Sequence, residues 1–275
     1  MGVLDGKVAI VTGSARGIGR ATASLLSAQG ASVVISDLDG DEAAATASSL
    51  AGETAVFAAD LTQGDAPDRL VQTAIDAFGR VDIVVNNAGY TVDGVMHKMT
   101  DDAFQRMLDI HAVVPFRVLR AAAPHLREPA KAEREQGLEV FRKVVNVSSI
   151  SGTMGNAGQV NYAAGKMALV GLTKALAKEW GQFKINVNAV AFGSVQTRLT
   201  ASNQAGNTIE VAGETVTLGI PDPLVGSGAA SIPLGREATV EDAAGGIFML
   251  CSPWSDFVHG QVLHVTGGQV GGMTG

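Results

Sequence analysis

Short β-branched apolar runs alternate with segments of helical period along nearly the whole chain. The runs predict strands at 7–12, 31–36, 54–59, 81–86, 143–148, 184–191 and 261–266, with helical patterns between most of them. Such alternation implies a mostly parallel sheet with helices on both faces, hence an α/β, doubly wound architecture. No internal repeat or linker interrupts it, so residues 1–275 are expected to form a single domain. Ligands of such sheets gather beyond the carboxyl ends of the strands.

The first run leads into Thr12-Gly13-Ser14-Ala15-Arg16-Gly17-Ile18-Gly19 and then a helical pattern. Glycines at a strand-to-helix junction allow a tight turn and close approach of a pyrophosphate to the helix N-terminus. An ordinary glycine-rich turn would read the same way, but Asp37 ends the second run about twenty residues further on. A carboxylate there accepts hydrogen bonds from ribose hydroxyls and repels a 2′-phosphate, which points to NAD(H) over NADP(H). Asp37 could instead cap the helix beginning near Asp41, although Asp39 is better placed for that. Arg16 is a complication, since a cation in the turn could touch a 2′-phosphate. Asp60-Leu61 follow the third run, Asn87-Ala88-Gly89 the fourth, Ser148-Ser149 the fifth, and Gly193 with Thr197 the sixth. Each alone is an ordinary turn residue, and together they line one rim.

Tyr162 and Lys166 are four residues apart in a helix expected over 161–181, and Ser149 lies thirteen residues before the tyrosine. An i, i+4 spacing puts phenol and ammonium on one face. A fixed cation there should favour the phenolate and bring the phenol, ordinarily near pH ~10, closer to neutrality. Ser149 would give a second hydrogen bond to a substrate oxygen. Taken alone, a Tyr-x-x-x-Lys pair is usually solvated helix decoration.

Composition narrows the field. A net charge of −7 with no basic block argues against nucleic acid or an anionic membrane as the main partner. Cys251 is the one cysteine, which excludes an intramolecular disulfide and suits a reducing compartment. No leader-like segment precedes Lys7 and no apolar stretch approaches the ~18 residues of a membrane span, so a cytoplasmic location is expected. The histidines offer no metal site, since His111 and His125 would lie about 21 Å apart along a helix.

The Thr-Gly-x-x-x-Gly-Ile-Gly turn at 12–19, Asn86-Asn87-Ala88-Gly89, Ser149 and Tyr162-x-x-x-Lys166 together resemble the short-chain dehydrogenase/reductase family, nearly end to end. The resemblance implies a single-domain Rossmann-like fold and an oxidoreductase that interconverts a ketone and a secondary alcohol. Ser149, Tyr162 and Lys166 would be catalytic. Gly13, Arg16, Gly17, Ile18 and Gly19 would hold the cofactor with Asp37, Asp60, Leu61, Asn87, Ala88 and Gly89. Lys166 would also bind the nicotinamide ribose, and Gly193, Val195 and Thr197 would hold the carboxamide. The stretch from Ser149 to Tyr162 most resembles β-ketoacyl reductases acting on acyl-carrier-protein or CoA thioesters, which makes acyl carrier protein a candidate partner. A dehydrogenase of a steroid, sugar or small secondary alcohol is the enzymatic alternative, and a cofactor-binding regulatory protein without turnover a remote one. Helices of this family commonly pair across two-fold axes. Ala164, Ala168, Gly171 and Ala175 would permit such an approach, so a homodimer or homotetramer is expected.

Two positions depart from the family pattern. An asparagine that helps hold a proton-relaying water is usual where this chain has Asp109-Ile110-His111-Ala112. Either His111 takes the relay, with titration near neutrality, or it packs and fills the asparagine's space. Phe192 stands where proline is common, and either nears the nicotinamide or points into core. Elsewhere, the charged stretch 127–143 is expected to be a solvated extension between helix and strand. Residues 198–237 should overhang the reacting carbonyl as a substrate lid. Within them Thr208–Val211 and Thr215–Leu218 flank Ala212-Gly213 as a small hairpin with apolar inward residues, and the prolines between Ile220 and Leu224 stiffen the chain beyond it. A loop serving only as surface cover is the alternative.

Overall fold

The computed structural model describes residues 2–269 other than 212, 221, 223, 224, 227 and 228. In β1 (Val8–Thr12) successive side chains point to opposite faces, so Val8 and Ile10 enter one core and Ala9 and Val11 the other. All five residues are buried, as a strand covered on both sides requires. With β2 (Ser32–Asp37), β3 (Thr54–Ala58), β4 (Ile83–Asn86), β5 (Arg142–Ser149), β6 (Ile185–Phe192) and β9 (Val262–Val265) it forms a seven-stranded parallel sheet. The order is β3-β2-β1-β4-β5-β6-β9. All seven expected strands are present, their ends within two residues of expectation.

Helices α1 (Gly17–Ala28), α2 (Gly40–Ser49) and α8 (Val240–Cys251) cover one face, where Leu26, Ala43 and Ile247 pack on Val33, Ile35 and Val85. Helices α3 (Ala66–Phe78), α4 (Asp101–Leu108), α5 (Val114–Glu135) and α7 (Val160–Trp180) cover the other with Leu70, Met107, Leu119 and Trp180. The sheet is thus the expected doubly wound, Rossmann-like one. Its order reverses at β1, which lies between β2 and β4, and a crevice opens at such a switch point. Among the described residues no helix is long and apolar enough to cross a membrane.

The stretch 127–143 is solvated over residues 134–139, as its charges suggest, but not at its two ends. Helix α5 continues to Glu135 with Pro124 and Pro129 inside it. Proline typically costs a helix interior ~3 kcal/mol, so the sequence pattern masks this helix. Arg142 and Lys143 turn inward at 2% and 4% exposure. Burial is tolerated because each charge has partners: Arg142 forks onto Glu133 at 2.7 and 2.8 Å, and Lys143 meets Asn186 at 2.8 Å and Asp256 at 2.6 Å.

Between β6 and α8, β7 (Thr208–Val211) and β8 (Glu214–Thr217) form the expected antiparallel hairpin, one residue earlier on its second strand. Val211 and Leu218 are buried in the same cluster as Tyr90, against which Leu199 and Tyr162 also pack. Ala212, Pro221, Pro223 and Leu224 lie outside the described residues.

Candidate active site

The strand ends converge. A cleft of about 920 Å³ is lined by every residue singled out from the sequence: Gly13, Arg16, Gly17, Ile18, Gly19, Asp37, Asp60, Leu61, Asn87, Ala88, Gly89, His111, Ser149, Tyr162, Lys166, Gly193, Val195 and Thr197. That size suits a cofactor together with a small substrate.

Its first wall is the glycine turn. Thr12 Oγ1 accepts from the Asn87 and Ala88 backbone N–H groups, both at 3.0 Å, and Asn87 Nδ2 donates to the Thr12 and Gly13 carbonyls at 2.9 and 3.0 Å. These bonds lock the end of β1 to the end of β4. A Cβ on Gly19 would lie 2.0 Å from the Gly13 oxygen, so only glycine lets α1 start this close to the strand. The Asp37 carboxylate accepts from the backbone N–H of Ala15 at 3.0 Å and of Leu38 at 2.9 Å, which ties β2 to the turn. Asp39, as expected, caps α2 through Glu42 N at 3.1 Å. Arg16 is engaged by Asp39 at 2.6 Å and Glu42 at 3.2 Å. Asp60 accepts from the Thr62 N–H and hydroxyl at 2.9 and 2.7 Å, with Leu61 buried beside it.

The second wall carries the hydroxyls. Ser149 ends β5 and caps α6 (Ile150–Met154), its Oγ accepting from Ser151 N at 3.1 Å. The Tyr162 phenol, in the first turn of α7, lines the same cleft as this side chain. One turn on, Lys166 Nζ donates to the Val147 carbonyl at 2.7 Å and lies 5.5 Å from the centre of the tyrosine ring. The pair therefore shares a face, but the expected acidification of the phenol is not what this packing produces. Burial pushes Tyr162 up to about 12, with the Ser149 hydroxyl opposing and the Asp93 carboxylate adding to the rise. Burial pushes Lys166 down to about 7, which weakens the very charge meant to act on the phenol. Desolvation is the largest contribution to both shifts.

His111 sits in a single π-helical turn, Asp109–Val113, between α4 and α5, and is 1% exposed. Its Nε2 lies 2.8 Å from the Tyr90 carbonyl, which can only accept, so the proton is assigned to Nε2. Nδ1 has no partner. The ring stands edge-on to Tyr162 at 5.0 Å and fills a notch left by Gly89, where a Cβ would come within 2.3 Å of His111 Cε1. Burial, and then Lys166, hold the imidazole pKa well below its ordinary 6.5. The expectation of titration near neutrality is corrected accordingly: the ring is neutral there.

The roof is apolar. Ile209, Val211, Leu218 and Ile220 of the hairpin region face the cleft opposite Tyr162 and Tyr90. Phe192 is 4% exposed and packs in the core, the second of its expected fates, and also lines the cleft. Among the lining residues given no individual role from the sequence are two polar ones and a cation. Asp93 and Gln159 are joined by bonds of 3.1 and 3.0 Å, and Arg198 follows Thr197. Asp93 lies four residues after Gly89 and Gln159 three before Tyr162, a proximity to known motifs that was the available signal.

Comparison with known proteins agrees with this geometry. A family model described as short chain dehydrogenase matches residues 7–208. A 3-oxoacyl-(acyl-carrier-protein) reductase of Thermotoga maritima is 32% identical over 270 residues, covering 97% of this chain and 99% of the relative. The enzyme of the same name from Vibrio cholerae is 34% identical, with 96% and 98% covered. An uncharacterized oxidoreductase of Mycobacterium bovis is 34% identical, with 97% and 98% covered.

Proposed function

The chain belongs to the short-chain dehydrogenase/reductase family, oxidoreductases acting on CH–OH groups, and from that premise we propose that it interconverts 3-oxoacyl and 3-hydroxyacyl thioesters of acyl carrier protein or CoA with NAD(H). The observation that carries this reading is the Ser149–Tyr162 hydroxyl pair, set between a cradle ending in Asp37 and an apolar roof that suits an acyl chain. The closed turn at Gly19 and the carboxylate ending β2 suit a dinucleotide's pyrophosphate and ribose hydroxyls. Asp37 disfavours a 2′-phosphate, and Arg16 is committed to two carboxylates rather than free for one.

When bound, the nicotinamide supplies or accepts the hydride. Tyr162 gives its phenolic proton to the ketone oxygen in reduction and takes it back from the alcohol in oxidation. Ser149 Oγ steadies that oxygen with a second hydrogen bond. Lys166 binds the nicotinamide ribose and, in its protonated form, lowers the cost of the phenol losing its proton. Neutral His111, its Nε2–H committed to Tyr90, offers Nδ1 as the acceptor for a water that returns protons to Lys166. Exposed Ala168, Gly171 and Ala175 on α7, beside exposed Met167, form the face through which two copies pair.

The test is a spectrophotometric screen of NADH and NADPH against acetoacetyl-CoA, longer 3-oxoacyl thioesters and a panel of steroid, sugar and small alcohols. Turnover confined to free alcohols would replace the thioester reading with the alternative dehydrogenase. A preference for NADPH above about tenfold, ~1.4 kcal/mol, would overturn the Asp37 reading. Full turnover by Tyr162→Phe would end the phenol's role, and a monomer by light scattering would end the pairing.

A further inference from the structure

Two side-chain bonds join the segment that carries Ser149 to the helix that carries Tyr162, one on either side of the hydroxyl pair. On the strand side, Ser148 Oγ donates to the Lys166 carbonyl at 2.8 Å. Beyond Ser149, Ser151 Oγ donates to Gln159 Oε1 at 2.9 Å. The partners run in opposite directions, 148 with 166 and 151 with 159, so 149 and 162 fall between the two ties. Ser149 Oγ accepts from the Ser151 N–H at 3.1 Å, which couples that hydroxyl to the outer tie and leaves its own proton to be donated.

The outer tie has a third member. Gln159 Nε2 donates to both carboxylate oxygens of Asp93, at 3.1 and 3.0 Å, across the mouth of the cleft from the loop that follows β4. An ionised carboxylate only accepts, so Asp93 decides which end of the amide faces it and turns Oε1 toward Ser151 and toward Asn156 Nδ2, the latter at 3.0 Å. Gln159 also precedes the first turn of α7, its carbonyl accepting from the Ala163 N–H at 2.7 Å. Its backbone therefore holds the turn of Tyr162 while its side chain holds Ser151. We infer that Gln159, held by Asp93, is a positioning residue that fixes the spacing of the Ser149 hydroxyl and the Tyr162 phenol, an assignment that rests on the thioester reading above. A misplacement of about 1 Å among reacting groups costs on the order of a hundredfold in rate.

Single-turnover reduction of acetoacetyl-CoA by NADH, with KM and calorimetric NADH binding alongside, is measured for the wild type, Gln159→Ala, Gln159→Glu and the exchange variant Asp93→Asn/Gln159→Glu. Gln159→Ala is expected to slow turnover by about tenfold to a hundredfold while KM and NADH affinity stay within about twofold. Gln159→Glu should be as slow, because two carboxylates then face each other. The exchange variant moves the donor to position 93 and keeps an acceptor at 159 for Ser151, so it should recover most of the rate. A wild-type rate in Gln159→Ala overturns the assignment, as does a loss confined to KM, which would make Gln159 a substrate contact. Should Gln159→Ala not fold, the exchange decides alone: a double variant as slow as Gln159→Glu overturns the assignment. A wild type inert toward acetoacetyl-CoA overturns the thioester reading itself, and this assignment with it.

Discussion

Replacing Lys166 with methionine should make the fold less sensitive to falling pH while removing the proposed chemistry. Burial brings the ammonium from an ordinary 10.5 down to about 7, because the Val147 carbonyl at 2.7 Å replaces only part of its lost hydration. In the unfolded chain the amine keeps its ordinary value. Between about 7 and 10.5 the unfolded state therefore holds a proton that the native state lacks. Stability is full above the unfolded value, falls as pH drops through this window, and levels off below about 7 once the native state is protonated too. The interval, 10.5 minus about 7, is roughly 3.5 pH units and amounts to about 5 kcal/mol, as an order of magnitude. Methionine has a similar length and no charge; it gives up the Val147 bond, worth about 1 kcal/mol at any pH. Urea unfolding of both proteins at pH 7 and pH 9 isolates the difference, since all other titrations cancel. Going from pH 9 to pH 7, the wild type should lose about 2 kcal/mol more than Lys166→Met. Equal losses would mean that Lys166 stays charged in the native state and that desolvation does not govern this site.

His111 makes a related prediction on the acid side. Its native pKa lies well below 6.5, so as pH falls below 6.5 the unfolded chain gains a proton that the native chain does not, and stability declines. His111→Asn should flatten that decline between pH 6.5 and 5 in the same unfolding assay, and an unchanged slope would mean the ring is not buried neutral. Gly89→Ala places a methyl 2.3 Å from His111 Cε1, while Gly165, whose own Cβ would meet His111 Cβ at 2.9 Å, blocks retreat. A loss of about 1–3 kcal/mol is expected by thermal unfolding, mostly restored in the Gly89→Ala/His111→Ala double variant. Leu218→Ala, 3% exposed beneath the hairpin, should cost about 2 kcal/mol or more and raise KM for long 3-oxoacyl thioesters over short ones. Parallel changes in both KM values would deny it a place against the acyl chain.

The sheet was legible because its signal is local. Each run of β-branched residues needs both faces covered, and that requirement is met wherever the run lies in the chain. The rim was legible for a related reason, since a parallel sheet carries residues following separate strands to one edge, as with Asn87, Ser149 and Thr197. Properties that depend on distant partners were hidden. Lys143 reads as part of a solvated charged stretch because Asp256, more than a hundred residues away, is what permits its burial. Helix α5 was obscured by prolines that its packing overrides.

The sign of the Tyr162 shift marks the same boundary more sharply. Spacing alone puts a cation one helical turn from a phenol and predicts an acidic phenol. The structure adds that Lys166 is buried and Tyr162 half-buried, and the lost hydration raises the phenol to about 12 while lowering the amine to about 7. The two effects are linked, because the cation can favour the phenolate only while it is itself charged. With Lys166 near half-protonation at neutrality, phenol and amine should titrate as a pair, and a pH–rate profile will report values that belong to both. The expected consequence is that Lys166→Met abolishes the neutral-range limb of the profile along with most turnover, whereas Lys166→Arg, which cannot lose its charge, shifts that limb and keeps measurable rate. A limb that stays near its wild-type position in Lys166→Arg would assign it to another group and separate the lysine from the phenol's acidity.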